Sequence, residues 1–79
     1  MARYDFIWTR HNERKVAEHG VTPEEAEEVV ENPHRSTTSR SSGRPIAFGF
    51  TSTGKYIAVV YERIDPATVY VITGYEVDD

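Results

Sequence analysis

Three short runs of β-branched and aromatic residues, each closed by turn-forming residues, occupy the second half of the chain. They are residues 46–50 (IAFGF), 56–61 (YIAVVY) and 69–72 (VYVI). Runs of this length and composition fit a half-buried pleated surface. The links between them contain Ser52-Thr53-Gly54 and Asp65-Pro66-Ala67 and are too short for a parallel crossover. The pattern therefore predicts an antiparallel three-stranded meander.

The first quarter of the chain has a different pattern. Residues 4–8 (YDFIW) can form a short edge strand, and a helix over residues 10–18 follows, ended by Gly20. This helix is mostly polar. Its main apolar contacts are Val16 and Ala17, so we expect it to lie on the surface.

A second helix has stronger signals at both ends. Thr22-Pro23-Glu24-Glu25 offers a capping hydroxyl, a proline at the first helical position and a glutamate at the capping-box position. Ala26, Val29 and Val30 recur at three- and four-residue spacing, which gives one narrow apolar stripe. Asn32-Pro33 ends the helix, because the residue before a proline is pushed out of the α region.

The segment between this helix and the meander is rich in serine and threonine. Residues 34–43 read HRSTTSRSSG, and side chains of this kind compete locally for backbone hydrogen bonds. We expect a mobile loop. The predicted order is then β-α-α-β-β-β, an α+β domain with two N-terminal helices packed on an antiparallel sheet.

Strand alternation divides the meander into two faces. Phe48 and its neighbours at positions 46 and 50 share one side of the first run, and we expect this bulky side to pack beneath the helices. The predicted core consists of Val29, Val30, Phe48, Ile57, Val59 and Val71. Ala47, Gly49 and Ala58 would line a shallow trough on the other side, bordered by Tyr70 and Glu62. Such a trough suits a ligand groove, a dimer face or a partly exposed sheet face.

Composition limits the chain to one small domain. With 79 residues it has room for a single core and buries only roughly 60% of the surface that its unfolded chain exposes. We therefore expect a homodimer or a tight complex with another protein. It contains no cysteine, and no apolar leader or membrane-length run is present, so we expect a cytoplasmic protein.

The net charge of −4 is unevenly distributed. Five glutamates lie in residues 24–31, and the remainder carries nine bases against eight acids. The simplest interpretation is a solvated helix face. The alternative is that this segment repels anions and leaves another surface free to bind one. Neither interpretation gives the basic footprint of a strong nucleic-acid binder.

Signatures of metal or cofactor chemistry are not evident in the sequence. The glycines are scattered and none opens a helix after a strand, while the three histidines are too dispersed for a convincing metal site. We therefore expect no metal and no cofactor. What remains is a set of polar side chains in and around the sheet that can clamp a phosphodiester and move protons: Arg44, Lys55, Tyr61, Glu62, Arg63, Tyr70 and Tyr75.

One order of residues runs through nearly the whole chain. It comprises Trp8, Asn12, Lys15, His19-Gly20-Val21, residues 24–29 (EEAEEV), Asn32-Pro33, Gly43-Arg44 and Gly54-Lys55, together with the first and last meander strands. This order resembles the BrnT-type toxins of the RelE/ParE superfamily. The resemblance implies a RelE-like fold and a metal-independent ribonuclease that blocks translation. It also implies a cognate antitoxin as partner, with RNA or the ribosome as target.

The resemblance suggests roles for the polar set. Arg44 and Arg63 would clamp phosphate and Lys55 would counter developing charge. Tyr61 or Tyr75 would stack on a base, and Glu62 or His19 would be the general base.

The end of the chain departs from the family's pattern. Relatives typically carry a Ser-Ala-Arg-Arg-like segment and a basic tail, whereas this chain has Thr73-Gly74-Tyr75-Glu76 and ends at Asp79; Tyr70 stands where an arginine is common. A non-catalytic protein-binding domain with the same fold is therefore the alternative function.

Overall fold

The computed structural model describes residues 3–77, which form two helices and one five-stranded mixed sheet. In chain order the elements are β1 (Asp5–Ile7), α1 (Arg10–Ala17), α2 (Pro23–Glu31), β2 (Arg35–Thr38), β3 (Pro45–Phe50), β4 (Tyr56–Asp65) and β5 (Thr68–Glu76). The strand order across the sheet is β1-β5-β4-β3-β2. This confirms the predicted α+β class. No helix within residues 3–77 is long and apolar enough to cross a membrane.

Both helices begin where the sequence predicts. Thr9 and Thr22 each accept a hydrogen bond from the backbone three residues later, in complete capping boxes with Asn12 and Glu25. Gly20 has a φ of 74°, which is the left-handed conformation that its position after α1 requires. Such caps stabilise a helix end by about 1 kcal/mol each.

The three predicted meander strands are present and antiparallel, so this part of the prediction is confirmed. β3 pairs with β4 and β4 with β5, and both of the last two strands are longer than their apolar runs. β1 is an edge strand, as predicted, but it runs parallel to β5, with Asp5 opposite Thr68 and Ile7 opposite Tyr70. The prediction of an antiparallel sheet is therefore wrong for this edge, and the sheet is mixed.

The prediction of a loop over residues 34–43 is wrong for its first half. Arg35–Thr38 forms β2, the other edge of the sheet, antiparallel to β3. All four of its side chains are exposed, so no apolar alternation marked it as a strand. Backbone pairing with Pro45–Phe50 supplies the stability that its side chains do not.

The predicted facing of β3 is also wrong. Ala47 and Gly49 lie beneath α2, whereas Phe48 is only half buried and Phe50 is 60% exposed on the opposite side. A Cβ atom at Gly49 would lie 3.3 Å from Cγ1 of Val29. The small side chains of β3 therefore let the branched valines of α2 approach the sheet, and no trough exists there.

The remaining predicted core residues are confirmed. Val29, Val30, Ile57, Val59 and Val71 are all buried between the helices and the sheet. Tyr4, Phe6 and Trp8 pack against this cluster from the edge formed by β1. The only predicted core residue that the structure moves out is Phe48. On α1 the buried side chains are Asn12 and Val16, and Ala17 is exposed.

Asn12 links three elements through one fully buried amide. Its Nδ2 donates to the carbonyl oxygen of Ile7 at 2.9 Å and to that of Val71 at 3.0 Å. Its Oδ1 accepts from the backbone of Thr9 at 2.6 Å. The side chain thus joins the start of α1 to the end of β1 and the middle of β5.

The glutamates of α2 hold the helix to its neighbours. The bonds are Trp8 Nε1 to Glu27 (2.7 Å), Ser52 N to Glu28 (3.0 Å) and Tyr4 N to Glu31 (3.3 Å). The expectation of a solvated acidic face is therefore wrong for these three residues. The other two acids, Glu24 and Glu25, lie in the first turn of the helix, where Glu24 is exposed and Glu25 is buried.

We expect Asn12→Ala to lower the free energy of unfolding by about 2–3 kcal/mol, because it removes the side-chain donor to the carbonyl oxygens of Ile7 and Val71 and half of a capping box. Urea unfolding measures the loss. His11→Ala, at an exposed position on the same helix, is the control and should stay within about 0.5 kcal/mol of the unmodified protein. Equal stability of both variants would contradict the role given to Asn12.

We expect Gly49→Val to destabilise the protein by about 1–3 kcal/mol, because the added methyl groups enter space already filled by Val29. In the double variant with Val29→Ala the two effects should be less than additive, since the smaller helix residue makes room. Thr37→Val in the exposed strand β2 is the control. A Gly49→Val protein as stable as the original would show that α2 does not pack this closely.

Candidate functional site

One face of the sheet carries no helix and is called the open face. Ala47, Gly49, Ile57 and Val59 point to the helix side, and the side chains at the alternate positions of these strands form the open face. It holds Phe48 and Phe50 of β3, Tyr56, Val60 and Glu62 of β4, and Tyr70 and Tyr75 of β5. Arg35 of β2 joins it, since Arg35 pairs with Phe48. Aromatic rings therefore dominate this surface.

One end of the open face brings together three residues that the sequence singled out. Nε of Arg44 lies 3.4 Å from Oε1 of Glu62, and Glu62 is the cross-strand neighbour of Tyr70. The two charged side chains are 41% and 50% exposed. An ion pair this exposed contributes little to stability, so Arg44 can exchange Glu62 for another anion at small cost.

Arg63 and Tyr61 lie on the other side of β4. They occupy the same side of β4 as Ile57 and Val59, and Tyr61 is buried in the core with only 7% exposure. The guanidinium of Arg63 donates to the hydroxyl of Tyr4 at 3.1 Å and lies over its ring. The predicted convergence of Arg44 and Arg63 on one phosphate is therefore wrong. Both stand at the same end of the hairpin, but alternation sends them to opposite faces.

Lys55 forms a structural contact between the helices and the β3–β4 turn. Its Nζ donates to the carbonyl oxygen of Gly20 at 2.8 Å and lies 3.4 Å from the carboxylate of Glu25. The hydroxyl of Thr53 donates to the same carboxylate at 2.5 Å. This position lies away from Arg44 and Glu62, at the turn end of β4.

The pKa of Glu25 reflects these contacts. Burial by itself raises the pKa of the carboxyl group. The hydrogen bonds from Thr53 and the backbone of Thr22, together with Lys55, outweigh that effect and hold the pKa below its ordinary value. Glu25 is therefore ionised in the folded protein and fastens α2 to the turn.

His19 and Tyr75 are neighbours, with ring centroids 6.2 Å apart in an edge-to-face arrangement. His19 follows α1, and Tyr75 lies near the end of β5 opposite Ala58. Ala58, the cross-strand partner of Tyr75, lies four positions from Glu62 along β4. Both Tyr75 and His19 are exposed, but no hydrogen bond joins His19 to Glu62 or Arg44.

The other end of the open face holds a group that the sequence did not single out, here called the aromatic patch: His34, Arg35, Phe48, Phe50 and Tyr56. Phe50 and Tyr56 have ring centroids 4.5 Å apart, and Nδ1 of His34 lies 3.2 Å from the hydroxyl of Tyr56. The guanidinium of Arg35 lies 4.6 Å above the ring of Phe48. The alternation of Phe48 and Phe50 was the available signal, but it was assigned to the core.

A separate depression of about 240 Å³ lies on α2 and is lined by Glu24, Glu27, Glu28, Glu31 and Asn32. Three of these glutamates are the ones that hold α2 in place, so the depression follows from the packing of that helix. In the part of the chain that the structure describes, no three His, Asp or Glu side chains form a metal-binding group.

No protein-family model, no curated protein and no solved structure matches this chain. Its chemistry must therefore be argued from the geometry of its own residues.

We expect the contribution of Glu25 to stability to be fully present above its unfolded pKa, near 4.5, and to be lost as pH falls through its lower folded pKa. Below about pH 4.5, Glu25→Gln should thus lose stability less steeply than the unmodified protein, in urea unfolding across pH. Glu24→Gln, at an exposed neighbouring position, is the control and should follow the unmodified protein.

Asp65 also has a lowered pKa, because the backbone of Ala67 donates to its carboxylate, but it is present in all three proteins and cancels from the comparison. Parallel pH profiles for Glu25→Gln and the unmodified protein would contradict the assignment.

Proposed function

We propose that this protein is a toxin-like, metal-independent ribonuclease of a type II toxin–antitoxin pair, and that the open face is its working surface. The observation that carries the proposal is the exposed Arg44–Glu62 pair beside Tyr70, on a sheet face that is otherwise aromatic and free of helices. Arginine suits phosphate through its planar array of donors, and aromatic rings suit bases.

The resemblance to BrnT-type toxins supports the architecture of this proposal more than its chemistry. Trp8 bonds to Glu27, Asn12 joins α1 to β1 and β5, and Lys55 bonds to Gly20. Residues shared with the family's pattern thus hold the helices on the sheet. Catalysis would therefore depend on the side chains of the open face.

In the proposed reaction Arg44 binds the scissile phosphate through its terminal nitrogens, because its contact with Glu62 uses Nε. The Glu62 carboxylate accepts the proton of the ribose 2′-hydroxyl as the hydroxyl oxygen attacks phosphorus. The bond from phosphorus to the 5′-oxygen breaks, and that oxygen takes a proton from water. The hydroxide left behind takes the proton from Glu62, which restores the carboxylate. The products are a 2′,3′-cyclic phosphate and a 5′-hydroxyl. General-base assistance of this kind contributes roughly 10²–10⁴-fold in rate.

The alternative, a non-catalytic binding domain, is favoured by a different observation. Of the residues that the sequence assigned to catalysis, Tyr61 is buried and Arg63 contacts Tyr4. A domain that had lost catalysis would keep the same fold and bind an antitoxin or another protein. Purified protein incubated with messenger RNA in EDTA, and in a separate reaction with ribosomes, distinguishes the two. Intact RNA in both reactions favours the binding domain.

We expect Arg44→Gln to lower the cleavage rate at least about tenfold, equivalent to roughly 1.4 kcal/mol of transition-state stabilisation. Arg63→Gln should stay within about twofold, because Arg63 lies on the opposite face. The measurement is single-turnover cleavage of one RNA by both variants. Equal losses in the two variants, or a larger loss for Arg63→Gln, would leave the activity established and the assigned site wrong.

A further inference from the structure

Phe50 is the most exposed large apolar side chain in the described part of the protein, at 60%. It is nevertheless held in place, since Tyr56 lies 4.5 Å and His34 5.8 Å from it, measured between ring centroids. His34 is in turn fixed by its hydrogen bond to the Tyr56 hydroxyl. The result is a preorganised aromatic surface open to solvent, which is costly to leave exposed unless something stacks on it.

Arg35 gives this surface a cationic border. Its guanidinium lies over the ring of Phe48. The ion pairs within residues 3–77 are Arg44–Glu62 and Lys55–Glu25, so Arg35 forms no ion pair with a carboxylate of the described residues. An arginine that lies on an aromatic ring keeps its in-plane donors available. The acids of α2 are held on the helix side of the sheet. The charge on the patch is therefore complementary to an anion.

We propose that the aromatic patch is a stacking subsite for one nucleotide of a single-stranded RNA, with the base on Phe50 and Tyr56 and the adjoining phosphate on Arg35. The subsite rests on the proposed function. Aromatic rings bind bases with little regard to sequence, and a neighbouring arginine binds the backbone. A wholly apolar protein segment would remove Arg35 from water without giving it a partner, which disfavours that occupant.

The position of the patch adds a length requirement for the substrate. Tyr56 and Glu62 lie six positions apart on β4, or about 20 Å at the usual rise of a strand. A strand of RNA held at both ends of the open face must therefore cover several nucleotides. The patch would bind the substrate at a distance from the scissile phosphate, so its loss should raise KM more than it lowers kcat.

The experiment uses a 2′-O-methyl heptanucleotide, which has no 2′-hydroxyl and cannot be cleaved by the proposed reaction. Its dissociation constant is measured by fluorescence anisotropy at low salt. We expect Phe50→Ala to weaken binding about tenfold or more and Phe50→Tyr to retain it, because stacking needs a ring. Arg35→Gln should weaken binding and reduce the salt-dependence slope by about one phosphate contact. Ile64→Ala, at a position 53% exposed outside the patch, is the matched control.

The outcomes separate the subsite from the ribonuclease. If the protein cleaves RNA while Phe50→Ala and Arg35→Gln bind and cleave normally, the subsite is wrong and the function stands. If the heptanucleotide binds in a Phe50-dependent way but unmodified RNA stays intact, the subsite stands and the ribonuclease is wrong. Absence of binding overturns the subsite, and cleavage of messenger RNA then decides the ribonuclease separately. Loss of self-association in Phe50→Ala, with RNA binding unchanged, would assign the patch to a second copy of the chain and overturn the subsite.

Discussion

One buried amide determines where the first third of the chain lies. Asn12 has no exposed surface, and its side chain bonds to Ile7, Thr9 and Val71. A buried amide group of this kind must have all its partners or it costs several times what one bond contributes. Helix α1 can therefore adopt one position along β5, and that position places Val16 over Gly74. The packing of α1 on β5 depends on that alignment.

The packing on the helix side explains the composition of the opposite face. Branched valines on α2 require small residues on β3, so the large members of β3 point the other way. The glutamates of α2 are used in bonds to neighbouring elements and leave the open face with little negative charge. A surface that combines aromatic rings with Arg35 and Arg44 thus follows from the requirements of the core. The proposed RNA contacts use side chains that do not pack in the core.

Local signals in the sequence were sufficient for most of the fold. Capping residues located both helices, and turn residues located the meander, because these depend on neighbours in the chain. The sequence did not reveal which side of β3 packs against the helices, because that depends on which helix residue lies over Gly49. Strand β2 was missed because its four side chains are all exposed and show no apolar alternation. In the site, Arg44 and Glu62 are in contact. The face on which Arg63 lies and the burial of Tyr61 could not be predicted, because both depend on which residues of β4 point toward the core.

The parallel pairing of β1 with β5 has a consequence for synthesis in the cell. Asp5 lies opposite Thr68, so the first strand made must wait for the last before it can join the sheet. In a nascent chain β1 has no strand to pair with until β5 has left the ribosome. Contacts so distant in sequence require a large loop to close and slow the final step of folding. During that interval β1 is an unpaired strand that is open to chaperones and to aggregation.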